Sequence, residues 1–542
     1  MTGRMKKIPH RAAVTAAGTV LVLLFTALQL GNVRTGAAMT GQTFLLRQGI
    51  LLVLAGTAAA LLAGFLLESR ILPLSGVFFL CGLYLGMLFM NVMPGLSAPD
   101  EVSHYITAYR MSNRLLGKPD LSADLGLVEI RAGDFPLEDL YGAKTLFDPD
   151  DVEEPPVILG HPVDQSTYVT IRNWDTLYPA EDRLVSSALP DIRTTPAGHI
   201  VPAIGISAAR ILGLNAPALV FCGRFANLLF FLFFTAAAIR LLPFGKEVMA
   251  GTALLPMTLH LAASLSYDVL LLATIFLFTA EVLSLAYGSR RTGRADIFLL
   301  CVLAAAFGPC KLVYSLTALL VFLIPAEKLG GTGRKAALGA AVLGCAAAAL
   351  LLVNASIIHG YAAAEAGTAA VRATNEAGYS VTELLHRPMF ILQMLRNTFA
   401  YQGDELHLGM IGMWLGNMDP LLGVPYIAVQ LFSIGLLLLA LKQPGETQIM
   451  PAAARIWSLG IFVLIVLALC GAMLVSWTTR SAVVIEGVQG RYFLPILPLV
   501  LFAVKNDKIV LTGDFRREIL FAFFCMDVYA AVRIFGLACT RL

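Results

Sequence analysis

Long apolar segments, each close to the length of a membrane span, recur from one end of the chain to the other. A helix needs about 20 apolar residues to cross the ~30 Å hydrocarbon layer of a bilayer. Because a backbone in lipid must satisfy its own hydrogen bonds, each segment is predicted to be a helix. The pattern predicts an all-α polytopic membrane protein with about 13 transmembrane helices, at residues 14–30, 46–67, 72–93, 217–241, 248–265, 269–287, 297–309, 312–324, 336–358, 421–441, 456–476, 492–504 and 519–537.

Two long polar stretches interrupt this pattern. The stretch from 94 to 196 holds 18 of the 36 acidic residues and only 8 of the 39 Lys and Arg residues. It predicts a large, mixed, acidic external loop between the third and fourth spans. The predicted regions are two extra spans (1–71), a first core span (72–93), this loop with juxtamembrane helices (94–216), a transmembrane core (217–358), a second external loop (359–420) and the C-terminal spans (421–542).

Composition indicates the class of protein, and the placement of charged residues indicates its orientation in the membrane. With 58% apolar and 14% charged residues, the chain is unlike a soluble globular enzyme. Arg4, Lys6 and Lys7 precede the first span, and most later Lys and Arg residues fall on the same side, which predicts a cytoplasmic N-terminus. This orientation requires the segment 199–213, interrupted by Pro202, to lie along the outer surface rather than to cross. The first span is predicted to be a retained anchor rather than a cleaved signal peptide.

Several chemistries have no sequence signal. None of the eight Cys residues falls in either large external loop, and no Cys pair has the spacing of zinc ligands. The chain has no Walker-type phosphate loop. We therefore expect no disulfide framework, no zinc site and no nucleic-acid partner, whereas the lipid bilayer is an expected partner.

Asp100, Glu101 and His104 stand just after the third predicted span. Charged groups at such a depth are costly unless they are solvated, paired or functional. Ser97 and Asp100 also match a capping box that opens a helix, which is a purely structural reading. That box leaves Glu101 unexplained, so this cluster is predicted to carry chemistry.

Further polar groups occur at the predicted outer ends of spans. His260 and Asp268 lie where two spans meet, and a helix cap is the alternative role of Asp268. Lys311, with Tyr314 nearby, follows a Gly-Pro break inside a span and is predicted to pair with an anion. The alternative for Lys311 is snorkelling to the interface.

A last group surrounds Arg491, between Gln489 and Tyr492. A guanidinium group suits phosphate oxygens, and the neighbouring glycines allow close backbone approach. The alternative is an interfacial anchor with Tyr492 in the aromatic belt. Arg224, early in the fourth span, is a buried cation that could pair with a loop carboxylate.

These motifs together resemble the signature of a bacterial family of membrane proteins, the domain-of-unknown-function 2142 family. The resemblance rests on Pro99-Asp100-Glu101 with His104, Leu255-Pro256-Met257, Ser264-Leu265-Ser266-Tyr267-Asp268, Lys311 with Tyr314, and Gln489-Gly490-Arg491-Tyr492-Phe493-Leu494-Pro495. The family is grouped with the GT-C glycosyltransferases. The chain departs from the usual pattern at Val102, where a second proline is expected, and in its two extra N-terminal spans.

The resemblance implies an inverting GT-C type glycosyltransferase at the outer face of the bacterial plasma membrane. It would use a polyprenyl-phosphate sugar donor and a glycan or lipid-linked acceptor. Asp100 is then the first choice for the general base, and Glu101 orients the acceptor or shares the base role. Arg491 and Lys311 would stabilise the leaving phosphate. The other predicted substrate-binding residues are His104, Arg224, His260, Asp268, Tyr314, Gln489 and Tyr492. No cofactor is certain; Mg²⁺ or Mn²⁺ at Asp100 and Glu101 is a candidate.

Three other functions fit the same sequence. A transporter or flippase of a lipid-linked sugar would use the charged groups for binding alone, although only one broken pair of spans is found where transporters often have matching pairs. A polymerase or ligase would move a whole lipid-linked glycan. A non-catalytic assembly subunit is the third.

Overall fold

The computed structural model describes residues 10–118, 127–134, 163–178, 181–187, 196–364, 378–419 and 421–541. Its first twelve α-helices are α1 (His10–Thr40), α2 (Thr43–Ser69), α3 (Leu74–Val92), α4 (Glu101–Leu115), α5 (Gln165–Arg172), α6 (Trp174–Leu177), α7 (Ile200–Ile211), α8 (Ala216–Leu241), α9 (Lys246–Ala253), α10 (Pro256–Ala262), α11 (Asp268–Tyr287) and α12 (Arg294–Phe307). The others are α13 (Ala326–Leu329), α14 (Thr332–Ala364), α15 (Val381–Leu385), α16 (Pro388–Ile411), α17 (Tyr426–Ala440), α18 (Ala452–Ser476), α19 (Leu497–Val504) and α20 (Arg516–Cys539). Four 3₁₀ helices (Ala132–Asp134, Pro196–His199, Leu312–Leu323 and Gly490–Ile496) and two strands, β1 (Glu129–Arg131) and β2 (Leu184–Ser186), complete the elements.

Eight of these helices are long and apolar enough to cross a membrane: α1, α2, α3, α8, α11, α14, α18 and α20. The chain is thus an all-α polytopic membrane protein, but the predicted count of 13 spans is not confirmed. The other five predicted spans form shorter or broken helices. For example, the segment predicted at 248–265 divides into α9 and α10 at Pro256, whose ring removes a helical hydrogen bond. The break predicted at Gly308-Pro309 is confirmed, since α12 ends at Phe307 and a 3₁₀ helix begins at Leu312, whereas the break at Pro256 was not predicted.

The helices pack around α11, whose membrane-length window is completely buried. α8 packs against α3 on one side and against α11 on the other, while α12 packs against α14. The N-terminal pair α1 and α2 contacts α20, so the two ends of the chain lie together. Helices that are apolar all round belong in the centre of such a bundle or in lipid, and α11 takes the central place.

A small domain covers one end of the bundle. α4 packs against α7, and antiparallel β1 and β2 pair with Ile130 opposite Val185. Tyr105, Trp174 and Ile206 belong to its own apolar cluster. The segment predicted to lie along the surface forms α7, whose 12 residues span only about 18 Å. α7 packs on α4 and α8, and is shorter than the helices counted as membrane-spanning.

Basic residues gather at the opposite ends of the helices. Lys505 pairs with Glu446 at 2.7 Å, and Arg516 contacts both Glu446 and Glu247 at 3.4 Å. These residues follow or precede the ends of helices that point away from Asp100 and Asp268. These ion pairs therefore lie away from the candidate site, and the cytoplasmic N-terminus stays a prediction.

Candidate active site

The turn between α3 and α4 sends the side chains of Asp100 and Glu101 to different partners. Asp100 has a φ of 56°, a left-handed conformation that asparagine and aspartate tolerate better than most residues. The predicted capping box is wrong, because the Ser97 hydroxyl donates to the Pro94 carbonyl at 2.6 Å. The carboxylate of Glu101 instead accepts from the Ala98 N–H at 3.1 Å. The first turn of α4 thus fixes Glu101 inside the protein and leaves Asp100 half exposed.

Glu101 is completely buried and fully occupied by protein donors. Its Oε1 accepts from Arg224 Nε at 2.7 Å and from the Leu265 N–H at 2.8 Å, while Oε2 accepts from Arg224 Nη2. Burial alone would raise the pKa of Glu101, but the Arg224 guanidinium outweighs it and holds that pKa below its ordinary value. The predicted pairing of Arg224 with a loop carboxylate is therefore present, and it joins α4 and α8 to the turn before α11.

Asp100 meets Arg491, which lies 391 residues further along the chain, at 2.9 Å from Nη2 to Oδ2. The arginine is nearly buried, with 6% of its side chain exposed, whereas 52% of the Asp100 side chain is exposed. Gly490 permits this placement, because a Cβ there would lie 2.0 Å from the Leu406 carbonyl oxygen of α16. Within the part of the chain that the structure describes, Arg491 Nε is buried without a hydrogen-bond partner. The guanidinium therefore keeps a donor for another anion.

Lys311 and Asp268 form a second ion pair at 2.8 Å. The ammonium group lies 5.1 Å from the ring centroid of Tyr267 and 4.3 Å from that of Tyr492. Tyr314 donates its hydroxyl to the Tyr492 carbonyl, which fixes this backbone next to Arg491. Lys311 has the anionic partner that its position predicted, so Asp268 balances its charge in this structure.

Two histidines lie between these ion pairs. His104 Nδ1 and His199 Nε2 are 2.9 Å apart, and the Tyr267 ring contacts both imidazoles. Burial lowers the pKa of His104 to about 4, although nearby Asp100 and Asp268 oppose that shift. His104 is thus neutral at physiological pH and serves as a hydrogen-bonding group. His260 is also buried and lies near Glu101 and Arg224.

This neutral histidine predicts an acid-sensitive fold. The unfolded chain binds a proton near pH 6.5 and the folded one only near pH 4, so stability is complete above about pH 6.5 and falls as the pH drops through that window. From pH 7 to pH 5 we expect a loss on the order of 1–2 kcal/mol. Thermal unfolding in detergent should show that His104→Gln lacks the share of the acid loss that His104 contributes and keeps the share of His260, whose pKa burial also lowers to about 4. His386→Gln, at an exposed histidine, should keep both shares; equal pH dependence in all three proteins would contradict the assignment.

An open cleft adjoins the Asp100–Arg491 pair, with about 830 Å³ of empty space. Pro99, Gln489 and Arg491 line it on one side, and residues of α16 and the following turn line the other. Its polar lining includes Gln402 and Glu405, and its apolar lining includes Trp414. Gln489 therefore lines the same cleft as Arg491, and its role in substrate binding stays a prediction.

The family described as predicted membrane protein (DUF2142) matches residues 83–500 of the chain. This chain belongs to that family. No curated protein and no solved structure matches the chain. The DUF2142 match begins inside α3, so α1 and α2 precede it. The structure gives the motifs a common location, since Glu101 bonds to Leu265 and Asp100 to Arg491.

The predicted divalent cation remains a prediction for this DUF2142 protein. Asp100 and Glu101 turn towards Arg491 and Arg224, so their carboxylates do not converge on one position. Among the described residues, no group of three or more His, Cys, Asp or Glu side chains could hold a metal ion. A cation held by Asp100 would need ligands from the substrate.

Sequence reasoning missed three contributors to the site. The sequence motifs give no functional role to His199 or Trp414, and they include Tyr267 only as part of the 264–268 motif. His199 contacts His104 across 95 residues, and no local pattern reports such a contact. The one available signal was position: His199 and Tyr267 each directly precede an apolar helix at the end of the bundle that holds Asp100.

Proposed function

We propose that this DUF2142 protein is a membrane-embedded inverting glycosyltransferase of the GT-C type, with its site on the outer face of the bacterial plasma membrane. It takes a sugar from a polyprenyl-phosphate donor and passes it to a glycan or lipid-linked acceptor. The observation that carries the proposal is the Asp100–Arg491 pair at the edge of the cleft. In this pair, the half-exposed carboxylate can accept a proton. The buried guanidinium, which has one unused N–H donor, can bind the phosphate.

In the proposed reaction, Asp100 removes the proton of an acceptor hydroxyl while that oxygen attacks the anomeric carbon of the donor. The bond from this carbon to the phosphate oxygen breaks, and the polyprenyl phosphate leaves with the electron pair. Arg491 donates to the phosphate as its negative charge grows, and such preorganised donors supply a large part of many rate enhancements. A phosphate at Nη2 would also release Asp100 from its ion pair.

Glu101 and Lys311 take supporting roles in this proposal. All donors around Glu101 come from the protein, so it fixes the start of α4 rather than accepting a proton. Lys311 is already paired with Asp268, and Arg491 is close enough to interact electrostatically with that aspartate. This leaves Asp100 as the base of the predicted pair and Arg491 as the main phosphate ligand.

The cleft suits a sugar ring. Binding sites for small molecules combine apolar and aromatic walls with a few placed polar groups. Trp414 offers the aromatic wall, while Gln402 and Glu405 offer groups that can bond to hydroxyls. Glu405 lines the same cleft as Arg491, which supports a role in binding the acceptor.

A bacterial strain without the protein provides the test in cells. We expect mass spectrometry of its surface glycans to show one missing sugar, restored by the wild-type gene and not by the Asp100→Asn gene at equal protein level. A variant at the exposed Asp404 of α16, Asp404→Asn, should restore the glycan, because no ion pair joins Asp404 to Arg491, whereas Asp100 pairs with that arginine. Unchanged glycans in the deletion strain, or restoration by Asp100→Asn, would contradict the proposal.

A further inference from the structure

A second cleft lies on the other side of the 94–101 segment, with about 920 Å³ of empty space. α3 forms its back through Asn91, α2 and α8 form its two sides, and α5 contributes Ile171 and Arg172. α2 lies outside the family match, yet its Phe44 and Gln48 line the cleft. α2 therefore adds a wall that the matched region alone does not have.

Contacts hold this added wall in place. Gln48 donates to the Asn91 side chain at 2.9 Å, which ties α2 to α3. The guanidinium of Arg172 lies 4.5 Å from the centroid of the Phe44 ring, which ties α5 to α2. Tyr168 donates its hydroxyl to the Val92 carbonyl at 2.6 Å. The cleft is thus a built feature between packed helices.

The charges that line the cleft have one sign. Its charged lining residues are Arg172 and Arg224, and no carboxylate lies in the lining that the structure describes. Arg224 is committed to Glu101, whereas no carboxylate among the described residues pairs with Arg172. A guanidinium held over an aromatic ring keeps its in-plane N–H donors available.

The remaining walls are apolar and lie at the surface of membrane-length helices. Met90, Val220 and Phe221 line the cleft, and 40% of Phe221 is exposed on the side of α8. All three belong to membrane-length helices, near the ends where those helices meet the polar domain. An anionic lipid has a charged headgroup and apolar acyl chains. The arginine at the end of the span suits the headgroup, and the apolar walls suit an acyl chain.

We propose that this cleft binds an anionic membrane phospholipid, with its phosphate at Arg172 and the upper part of an acyl chain against Phe221. The bound lipid would brace the segment that leads to Asp100, because Pro94 and Gly95 form part of the same lining. The inference does not depend on the transferase activity, since binding can be measured without a sugar donor.

Native mass spectrometry of the purified full-length protein tests the site, with phosphatidylglycerol and phosphatidylcholine as probes. We expect tighter binding of phosphatidylglycerol, weakened about fivefold by Arg172→Gln because one juxtamembrane arginine contributes about that factor. Ile171→Glu should weaken it further by placing a negative charge in the lining. Arg114→Gln is the matched control, since Arg114 is an exposed arginine in the last turn of another short helix of this domain.

Three results would overturn the proposal. Equal affinity for the two lipids would remove the role of the anionic headgroup. Unchanged phosphatidylglycerol binding in both Arg172→Gln and Ile171→Glu would place the lipid elsewhere. Full competition by millimolar inorganic phosphate would show a simple anion site in which the acyl chain has no part.

Discussion

Asp100→Asn should lower the rate of sugar transfer by about 10²–10⁴-fold while leaving the protein folded, since general-base catalysis contributes that factor. Asparagine occupies the left-handed region at least as readily as aspartate, so the φ of 56° is retained. The amide still accepts a hydrogen bond from Arg491 but cannot remove a proton from a hydroxyl. Initial rates with a radiolabelled polyprenyl-phosphate sugar and purified protein measure the effect.

The control is Asp404→Asn, at an exposed aspartate on α16 that forms no ion pair with Arg491. It should transfer sugar at the wild-type rate. If Asp100→Asn retains wild-type activity, Asp100 is not the base and the proposed mechanism fails. Asp100→Ala is a poorer test, because alanine is strained at this φ and would mix loss of the base with distortion of the turn.

The second large effect concerns stability. Glu101→Gln should destabilise the protein by about 3–5 kcal/mol, the usual cost of breaking a buried ion pair by removing one charge. The Arg224 side chain would remain buried with reduced compensation, and 2% of it is exposed. Thermal unfolding in detergent at pH 7 should show a clearly lower midpoint for the variant.

A double variant separates the contribution of the ion pair to stability from that of side-chain packing. Glu101→Met combined with Arg224→Met should be less destabilising than the sum of the two single changes, because neither charge is left alone. The surface pair of Glu383 with Arg480 is the control, since exposed pairs contribute less than about 1 kcal/mol. A cost for Glu101→Gln as small as that for Glu383→Gln would contradict the structural role of Glu101.

The sequence predicted those features that depend on local composition. Apolar length located α1, α2, α3, α8, α11, α14, α18 and α20, since the cost of exposing backbone to lipid leaves few alternatives to a helix. The Asp100–Glu101 pair and Arg491 were recognised by charge at span ends. The resemblance of their motifs to one family was correct, as the match over residues 83–500 shows.

The sequence could not show that the two carboxylates have different partners and roles. Asp100 and Glu101 are adjacent, and only the left-handed turn sends one to Arg491 and the other to Arg224. Hydropathy alone also missed that α9 and α10 are separate short helices, although Pro256 in the sequence marks the break. Contacts such as His104 with His199 depend on the packing of α4 against the start of α7, which no local pattern encodes.

The most direct test places purified wild-type protein in lipid nanodiscs with a panel of radiolabelled polyprenyl-phosphate sugars and a membrane extract from the deletion strain. We predict that one donor loses its label to a new glycan while free polyprenyl phosphate appears in equal amount, and that Asp100→Asn prevents both. If every donor keeps its label on the lipid, and proteoliposomes show the same lipid crossing the bilayer unchanged, the protein moves lipid-linked sugars and makes no glycosidic bond.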